Sequence, residues 1–511
     1  MKAIGLYIKE NIQYVVLTIS VWVVLLIISP DSYIHYPYTQ LDSACFFTAG
    51  KAMMNGMTPY VDFADSKGPL LWLIYGIGYI ISHHNYIGVF WLSWISFSVF
   101  FFYLYKIALL YLDNRQLSLL STILMFVFVF YFAIHAEVGA ENWCQPFITA
   151  TLYYTCRIIH FNHVTIKDIR KTFIVLGVSF SSCLLIKYNG AALFVSFFLV
   201  LFFFLLTNKP KMVLSSIGWT LIGVLFVLLP FLIWLLSIGA LEAFVDEYFI
   251  NTLLTVNGRS ASGFVNYYWD FRNFIFNPLF FIYFLLSLLG CIGIKYLTHK
   301  SQTFLLFIVL SFYGLSLWHA FPHYYEFCAP LSIFFVICTV HLLRKILLMN
   351  FRQSFLVVFL CVFLLTLEMN ITGKQRIYTG IFKIDESFVF RRNDIAQSLF
   401  YERQKVYDIV SKVNKPKIIY YKTLDNGEGL MSEALPGSKY WITQTGATNS
   451  MLKRQIKDIK ARNADFIITP GGNNSVNKDN ISFLRSCGYF EVFRYGDGFT
   501  ESERVIMKRD N

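Results

Sequence analysis

The chain has 511 residues, of which 56% are hydrophobic and only 14% are charged, and 53 are Phe. Soluble globular domains carry about 25% charged residues. The composition therefore excludes an ordinary soluble protein and predicts a multi-pass protein of the cell membrane. Its fold class is expected to be an all-α polytopic membrane protein, with about 11–13 transmembrane helices of roughly 17–25 apolar residues each, followed by a small C-terminal α/β soluble domain.

The formal net charge of +12 is concentrated in short loops between apolar segments. Four such loops are basic: Arg157 to Lys171, Lys209 with Lys211, Lys295 with Lys300, and Arg344 to Arg352. Basic loops beside membrane helices are typical of the cytoplasmic side. The charge therefore indicates membrane topology, and we expect no nucleic-acid partner.

The apolar segments predict the membrane helices in chain order. The first, residues 13–29, ends in SPDSY without a small-residue cleavage site, so a retained helix is favoured over a signal peptide. The others are 86–111, 117–134, 143–159, 172–186, 191–207, 212–236, 276–296, 302–318, 327–345 and 352–370, with a shorter helix at Pro69–Ile81. If the basic loops are inside and Pro69–Ile81 does not cross fully, the polar segments 30–67, 135–142, 237–275 and 319–326 are all outside.

The sequence changes character after Asn370 and becomes polar and charged. Short β-like runs occur at Lys417–Tyr421, Tyr440–Ile442 and Asp465–Thr469, with a candidate fourth at Phe490–Phe493, and residues 450–463 have apolar residues at helical spacing. Alternating strands and helices indicate an α/β domain. We therefore predict a transmembrane domain over residues 1–370, with outer loops 30–67 and 237–275, and an extracytoplasmic α/β domain over 371–511.

One outer segment, residues 41–71, concentrates charge in a chain whose membrane segments are nearly free of it. Its charged residues are Asp42, Lys51, Asp62, Asp65 and Lys67. Charges at the edge of a bilayer are functional candidates because they are expensive unless they face water or one another. Lys67-Gly68-Pro69 is a helix start, where an ammonium and the helix amides could meet a lipid phosphate. The alternative is that Lys67 only snorkels to the headgroups.

Two further outer segments carry polar side chains. Glu137 and Glu141 lie in a short turn, where they could act with Asp42 or simply favour the N-terminus of the next helix. His323, Tyr324, Tyr325 and Glu326 combine aromatic rings with hydrogen-bonding groups, as a sugar or headgroup site requires, although interfacial aromatic residues often only anchor helices. Arg259 in the long outer loop and Lys187 at an interruption between helices are weaker candidates.

The cysteines do not form a metal-binding pattern. The nine are scattered, mostly within apolar helices, without CxxC or Cys/His spacing. We interpret them as small core hydrophobic residues. The sequence therefore predicts no metal ligands and no certain cofactor, and it leaves the use of a divalent cation open.

The spacing of these motifs resembles the GT-C glycosyltransferases, in particular the protein O-mannosyltransferases and the lipid A aminoarabinose transferase of the family 39 type. The matching features are Asp42, the G-x-x-P-Y-x-D motif at Gly56–Asp62, the Lys-Gly-Pro helix start, the outer acidic turn, and H-Y-Y-E-x-x-x-P at His323–Pro330. Two features depart from the family. Lys-Gly-Pro replaces Lys-Pro-Pro, and glutamate replaces aspartate at the second acidic position, so the choice between Glu137 and Glu141 stays open.

The resemblance implies inverting transfer of a sugar from a polyprenyl-phosphate carrier to a glycan, lipid or protein acceptor at the outer face of the membrane. Asp42 would act as the base or orienting carboxylate, Glu137 or Glu141 as the second catalytic acid position, and Lys67 as a contact to the carrier phosphate. The predicted substrate-binding set also includes Tyr60, Asp62, His323, Tyr324, Tyr325, Glu326 and Arg259.

The main alternative function is a transporter or flippase of lipid-linked sugars, which would also be polytopic and would also bind membrane lipid. Transporters tend to have ionisable residues or broken helices near the middle of the bilayer. In this chain the polar residues concentrate at one side. The sequence therefore favours the enzyme.

Overall fold

The computed structural model describes residues 11–29, 31–33, 41–133, 139–161, 164–251, 278–298, 303–316, 322–347, 402–443, 448–472, 474–496 and 503–510. The chain forms two compact units. The first, here called the helical unit, contains Met1–Ile28, Ser93–Phe231 and Ser262–Gln375. The second, the mixed unit, contains Ser29–Leu92, Leu232–Ala261 and Arg376–Asn511.

The helical unit is built from the apolar segments. Its α-helices are Ile12–Ile28, Ile87–Leu112 from Ser93 onward, Arg115–Phe126, Ala140–His160, Ile166–Ile186, Tyr188–Ala192, Phe194–Asn208, Val213–Ser237 up to Phe231, Pro278–Thr298, Thr303–Ser316 and Ile333–Leu347. A π-helix at Val127–Ala133 and 3-10 helices at Pro210–Met212 and Pro322–Ser332 complete it. Local sequence sets several helix starts: Thr165 and Asp168 form a capping box before Ile166, which satisfies amides that the helix cannot.

Two glycines bring helices Ile166–Ile186 and Val213–Ser237 together. A Cβ added to Gly177 would lie 2.1 Å from the carbonyl oxygen of Thr220, and one added to Gly223 would lie 2.3 Å from that of Ile174. Small residues allow such backbone contact, which is a main source of helix association in membranes.

The outer surface of helix Val213–Ser237 is apolar and open. Leu214 is 81% exposed and Phe226 is 75% exposed, as expected for side chains that face lipid. Five described helical stretches are long and apolar enough to cross a membrane: Ile87–Leu112, Ile166–Ile186, Tyr188–Asn208, Pro210–Ser237 and Glu326–Lys345. The prediction of a multi-pass, mostly helical membrane protein is confirmed.

The mixed unit joins the outer segments of the sequence to the C-terminal residues. Its helices are Leu41–Met54, Pro69–Ile81, the start of Ile87–Leu112, Leu241–Phe244, residues 402–410, Asn449–Lys460 and Ser475–Ser486, with a π-helix at Val245–Asn251. Its five strands are β1 (Lys417–Tyr420), β2 (Leu435–Pro436), β3 (Phe466–Pro470), β4 (Tyr489–Gly496) and β5 (Glu503–Arg509).

The five strands form one mixed sheet in the order β2-β1-β3-β5-β4. The strand β1 pairs in parallel with β2 and β3, and β5 lies antiparallel between β3 and β4. Register places Ile419 opposite Ile467 and Ile467 opposite Met507. These side chains form a core with Ile459 and Leu484 from the helices Asn449–Lys460 and Ser475–Ser486. The predicted small C-terminal region with strands is therefore confirmed.

Several boundaries differ from the sequence prediction. Helix Leu41–Met54 lies within the predicted outer loop 30–67. Tyr440–Ile442 is not a strand, so that prediction is wrong. The segment runs beside β1 and accepts a hydrogen bond from the Tyr420 N–H at the Trp441 carbonyl, 2.6 Å away, without forming a ladder. Helix Ser475–Ser486 and strand β5 were not predicted.

Helix Pro69–Ile81 has the predicted bounds and 13 residues. At 1.5 Å per residue it is about 20 Å long, shorter than the roughly 30 Å hydrocarbon core. This length fits a helix that does not cross fully. The predicted helix 352–370 and the domain boundary at residue 370 lie outside the described residues, so they stay predictions, as does the total of 11–13 helices.

Candidate active site

Helix Leu41–Met54 brings Asp42 and Lys67 to one region of the mixed unit. Asp42 lies in the first turn and is exposed. Phe46 follows four residues later, on the same helix face, and the Lys67 Nζ lies 5.4 Å from the centre of its ring. An ammonium at this distance from an aromatic face is attracted to it. The cation therefore lies against the residue that follows the exposed carboxylate by one helical turn.

Tyr60 holds the backbone of Lys67 in place. Its ring is fully buried and lies 4.7 Å from that of Trp72, and its hydroxyl donates to the carbonyl oxygen of Lys67 at 2.9 Å. Tyr60 adopts a φ of +65°, which is unusual for a residue with a side chain. The sequence predicted a substrate contact here. That role stays a prediction, and the hydrogen bond from Tyr60 fixes the backbone of Lys67.

The remaining aspartates of this loop have different surroundings. The exposed Asp62 accepts a hydrogen bond from the Thr58 N–H at 2.7 Å and so closes a local turn. Asp65 is buried and accepts from the Ser66 N–H at 2.5 Å. Burial, followed by the charges of Asp425, Asp65 and Asp42, raises the pKa of the Cys45 thiol. Asp42, Asp65 and Asp425 therefore lie near the same helix, and of these three only Asp425 was not a candidate from the sequence.

In the helical unit, Glu141 forms an ion pair with Lys187. The Glu141 side chain is 5% exposed and that of Lys187 is 11% exposed. Lys187 follows the last residue of helix Ile166–Ile186 and precedes helix Tyr188–Ala192, so the break in the helix places its charge beside the first turn of Ala140–His160. The two residues were separate and unequal candidates in the sequence, which cannot show a pairing across 46 positions.

Glu326 also lies in the helical unit and is buried. The side-chain amide of Gln145 donates to its carbonyl oxygen at 2.6 Å. The 3-10 helix Pro322–Ser332 is thereby joined to helix Ala140–His160. Glu137 and Arg259 lie outside the described residues, as do the side chains of His323, Tyr324 and Tyr325. Within the described part of the chain, no three His, Cys, Asp or Glu residues form a group that could hold a metal ion.

Comparisons with known proteins agree with these features. A sequence model of the family described as dolichyl-phosphate-mannose-protein mannosyltransferase matches residues 66–234. No curated protein matches the chain. Two crystal structures of ArnT from Cupriavidus metallidurans are similar. One is bound to undecaprenyl phosphate, with 10% identity over 98% of both chains and a TM-score of 0.55. The other, in the apo state, has 11% identity over 99% of this chain and 98% of that chain, with a TM-score of 0.53.

At this identity the structural similarity shows the fold, and the family match adds the sequence signal. The chain has the fold of the two ArnT structures, and its residues 66–234 match the mannosyltransferase family model. The resemblance inferred from Asp42, the Lys-Gly-Pro start and the late H-Y-Y-E motif is therefore confirmed. The enzyme is favoured over the transporter.

The buried ion pair between Glu141 and Lys187 allows a stability test. Glu141→Gln leaves the Lys187 charge buried without its carboxylate, and breaking a buried pair in this way costs roughly 3–5 kcal/mol. We expect a clearly lower thermal midpoint for this variant in detergent. The double variant Glu141→Gln/Lys187→Met, which removes both charges, should recover most of the loss. Equal midpoints for wild type and Glu141→Gln would mean that the pair contributes nothing to stability.

Proposed function

We propose that this glycosyltransferase moves a sugar, with inversion at the anomeric carbon, from a polyprenyl-phosphate carrier to a glycan, lipid or protein acceptor at the outer face of the membrane. The observation that carries the proposal is that the Lys67 Nζ lies 5.4 Å from the ring of Phe46, which follows the exposed Asp42 by one turn of the same helix. Transfer to an acceptor hydroxyl needs a base for its proton and a cation for the leaving phosphate. One exposed carboxylate and one adjacent ammonium meet both needs.

The surroundings of Lys67 suit a phosphate. It precedes helix Pro69–Ile81, whose N-cap residue Gly68 has no side chain to satisfy the first amides. A helix start without a side-chain cap and the positive end of the helix dipole favour an anion. In the proposed reaction, Asp42 takes the acceptor proton, the acceptor oxygen bonds to the anomeric carbon, and the carbon–oxygen bond to the carrier breaks. Lys67 stabilises the negative charge that the departing phosphate gains.

The names of the relatives support the choice of donor. The matching family is described by a dolichyl-phosphate donor, and one similar crystal structure holds undecaprenyl phosphate. Both are polyprenyl phosphates. The short helix after Lys67 is apolar along its length, so a lipid carrier could approach the ammonium from the bilayer.

Contacts within the mixed unit support placing the segment around Asp42 and the C-terminal domain on the same side of the membrane. The Ala64 N–H donates to the Lys439 carbonyl at 2.8 Å, and the Tyr79 hydroxyl donates to the Glu433 carboxylate at 2.6 Å. Segments that touch in this way must lie on one side of the membrane. Since the basic loops are assigned to the cytoplasm, we place both segments outside.

Cysteine labelling tests this topology. In a cysteine-free background, single cysteines at Ser66 and Ser475 should react with a membrane-impermeant maleimide added to intact cells. A cysteine at Thr165, beside the basic loop, should react only after the membrane is opened. Protection of Ser66→Cys or Ser475→Cys in intact cells, with labelling after permeabilisation, would overturn the arrangement.

The reaction itself is tested with purified protein and a panel of polyprenyl-phosphate sugars. We expect release of free polyprenyl phosphate in the presence of acceptor, and a product of inverted anomeric configuration by NMR. The inactive control is Asp42→Asn, and Asp408→Asn is the matched surface control because Asp408 is an exposed helical aspartate. A product with retained configuration, or no transfer from any member of the panel, would contradict the proposal.

A further inference from the structure

Lys51 is the buried charge of helix Leu41–Met54, whose first turn carries Asp42. Its side chain is 0% exposed, and its Nζ donates to the carbonyl oxygens of Gly429 at 2.6 Å and Ser432 at 2.7 Å. Burial lowers its pKa to about 8, opposed by the charges of Asp425 and Glu433. Burying an ammonium is unfavourable unless it is hydrogen-bonded, so these two bonds define where the helix can lie.

A second contact lies one turn earlier on the same helix. The Thr48 hydroxyl donates to the Asp425 carboxylate at 2.7 Å. The other oxygen of Asp425 accepts from the Gly427 N–H at 2.7 Å, which folds residues 425–433 into a compact turn. Residues three apart share a helix face. Thr48 and Lys51 therefore bind the same segment, residues 425–433, here called the anchor segment.

The anchor segment is itself fixed to the C-terminal sheet. Glu428 forms an ion pair with Arg504 of β5 at 2.9 Å, and both side chains are almost completely buried. The Tyr495 hydroxyl of β4 donates to the same carboxylate at 2.8 Å. The anchor segment thus connects the sheet rigidly to helix Leu41–Met54.

A second neighbour, helix Pro69–Ile81, also packs closely against helix Leu41–Met54. A Cβ added to Gly50 would lie 2.4 Å from the Gly76 nitrogen of helix Pro69–Ile81. The helix is therefore held between the anchor segment and the helix that follows Lys67. Neither its tilt nor its axial position can change without breaking one of these contacts.

We propose that Lys51 is a positioning residue of the transfer reaction, through which the C-terminal domain sets the position of Asp42 relative to Lys67. The inference rests on the proposed role of Asp42. Lys51 is nine residues from Asp42, about 13 Å along the helix axis, so it does not touch the reacting atoms. Its effect passes through the helix alone.

The test is the variant Lys51→Met, which keeps the apolar stem and removes both hydrogen bonds. A misplacement of about 1 Å lowers turnover by roughly 10²-fold, so we expect kcat to fall by about 10–100-fold. The KM for the donor and the binding of undecaprenyl phosphate should change little, because the Lys67 charge remains. Lys453→Met, at an exposed helical lysine, is the matched control and should keep wild-type kcat.

A double-mutant cycle separates positioning from general loss of structure. If Lys51 acts through Asp42, Lys51→Met should have little further effect on the residual rate of Asp42→Asn, since contacting or coupled residues are not additive. Full additivity would contradict the inference while leaving the proposed function intact. If Asp42→Asn is itself active, the proposed role of Asp42 fails, and this inference fails with it. Should Lys51→Met not fold, Thr48→Val weakens the same anchor and should lower kcat, and unchanged kcat in that variant would also contradict the inference.

The pH dependence of the thermal midpoint reports on the burial of Lys51. Its pKa of about 8 in the folded protein lies below the ordinary value of 10.5, so the unfolded state binds this proton more tightly. The thermal midpoint of the wild type should therefore rise relative to that of Lys51→Met as the pH increases from 8 to 10.5. The uncharged amine still has two N–H groups for its two carbonyl partners. A pH-independent difference between the two proteins would contradict a buried, charged anchor.

Discussion

Asp42→Asn is expected to lower the rate of sugar transfer by about 10²–10⁴-fold, the usual contribution of a single general base. The substitution keeps the volume of the side chain and removes only its ability to take a proton. Asp42 is exposed in the first turn of its helix, so folding should be unaffected. The rate is measured as polyprenyl phosphate released from the donor in the presence of acceptor.

Carrier binding provides the internal control for this variant. Undecaprenyl phosphate should bind to Asp42→Asn as tightly as to wild type, because Lys67 and Phe46 are unchanged. Asp408→Asn should retain full transfer activity. Near-normal turnover by Asp42→Asn would exclude Asp42 as the base, and the neighbouring Asp65 would then be the carboxylate to examine.

Lys67→Met is expected to weaken carrier binding by about 10–100-fold, since a hydrogen bond to a charged group contributes about 1.5–3 kcal/mol. Methionine keeps the apolar stem against the Phe46 ring and removes only the ammonium. Turnover should fall as well, because the same charge stabilises the departing phosphate. Binding is measured with undecaprenyl phosphate and turnover with the sugar-linked donor.

Lys67→Arg should restore part of both properties, because it returns the charge with a different geometry. The thermal midpoint without ligand should be the same for wild type, Lys67→Met and the control Lys453→Met. If carrier binding and transfer were unchanged in Lys67→Met, the Lys-Gly-Pro motif would be a helix start and nothing more.

Composition and local sequence signals were sufficient to predict the apolar helices that the structure describes. Long apolar runs can only be buried in lipid or in a large core, and Pro69 marked the start of its helix to the residue. The helix Leu41–Met54 could not be predicted in the same way. Its sequence contains Gly50 and Lys51, and what stabilises it is tertiary: backbone contact at Gly50 and the carbonyl partners of Lys51.

The candidate site was predicted in part. Asp42 and Lys67 were chosen from their motifs, and the structure places Lys67 against the ring of Phe46, one turn after Asp42, a residue that the sequence did not single out. Its position four residues after Asp42 was a usable signal only once the segment was known to be helical. The pairing of Glu141 with Lys187 depends on a partner 46 positions along the chain, which periodicity cannot reveal.

The distance in sequence between Lys51 and its partners has a consequence for how the enzyme is made. Gly429 follows Lys51 by 378 residues, and at a synthesis rate of roughly 5–20 residues per second the ribosome needs about 20–75 s to add them. During that interval the helix of Asp42 has no anchor segment to bind. If Lys51 positions Asp42 as proposed, we expect the active arrangement to form only after residues 425–433 have been synthesised.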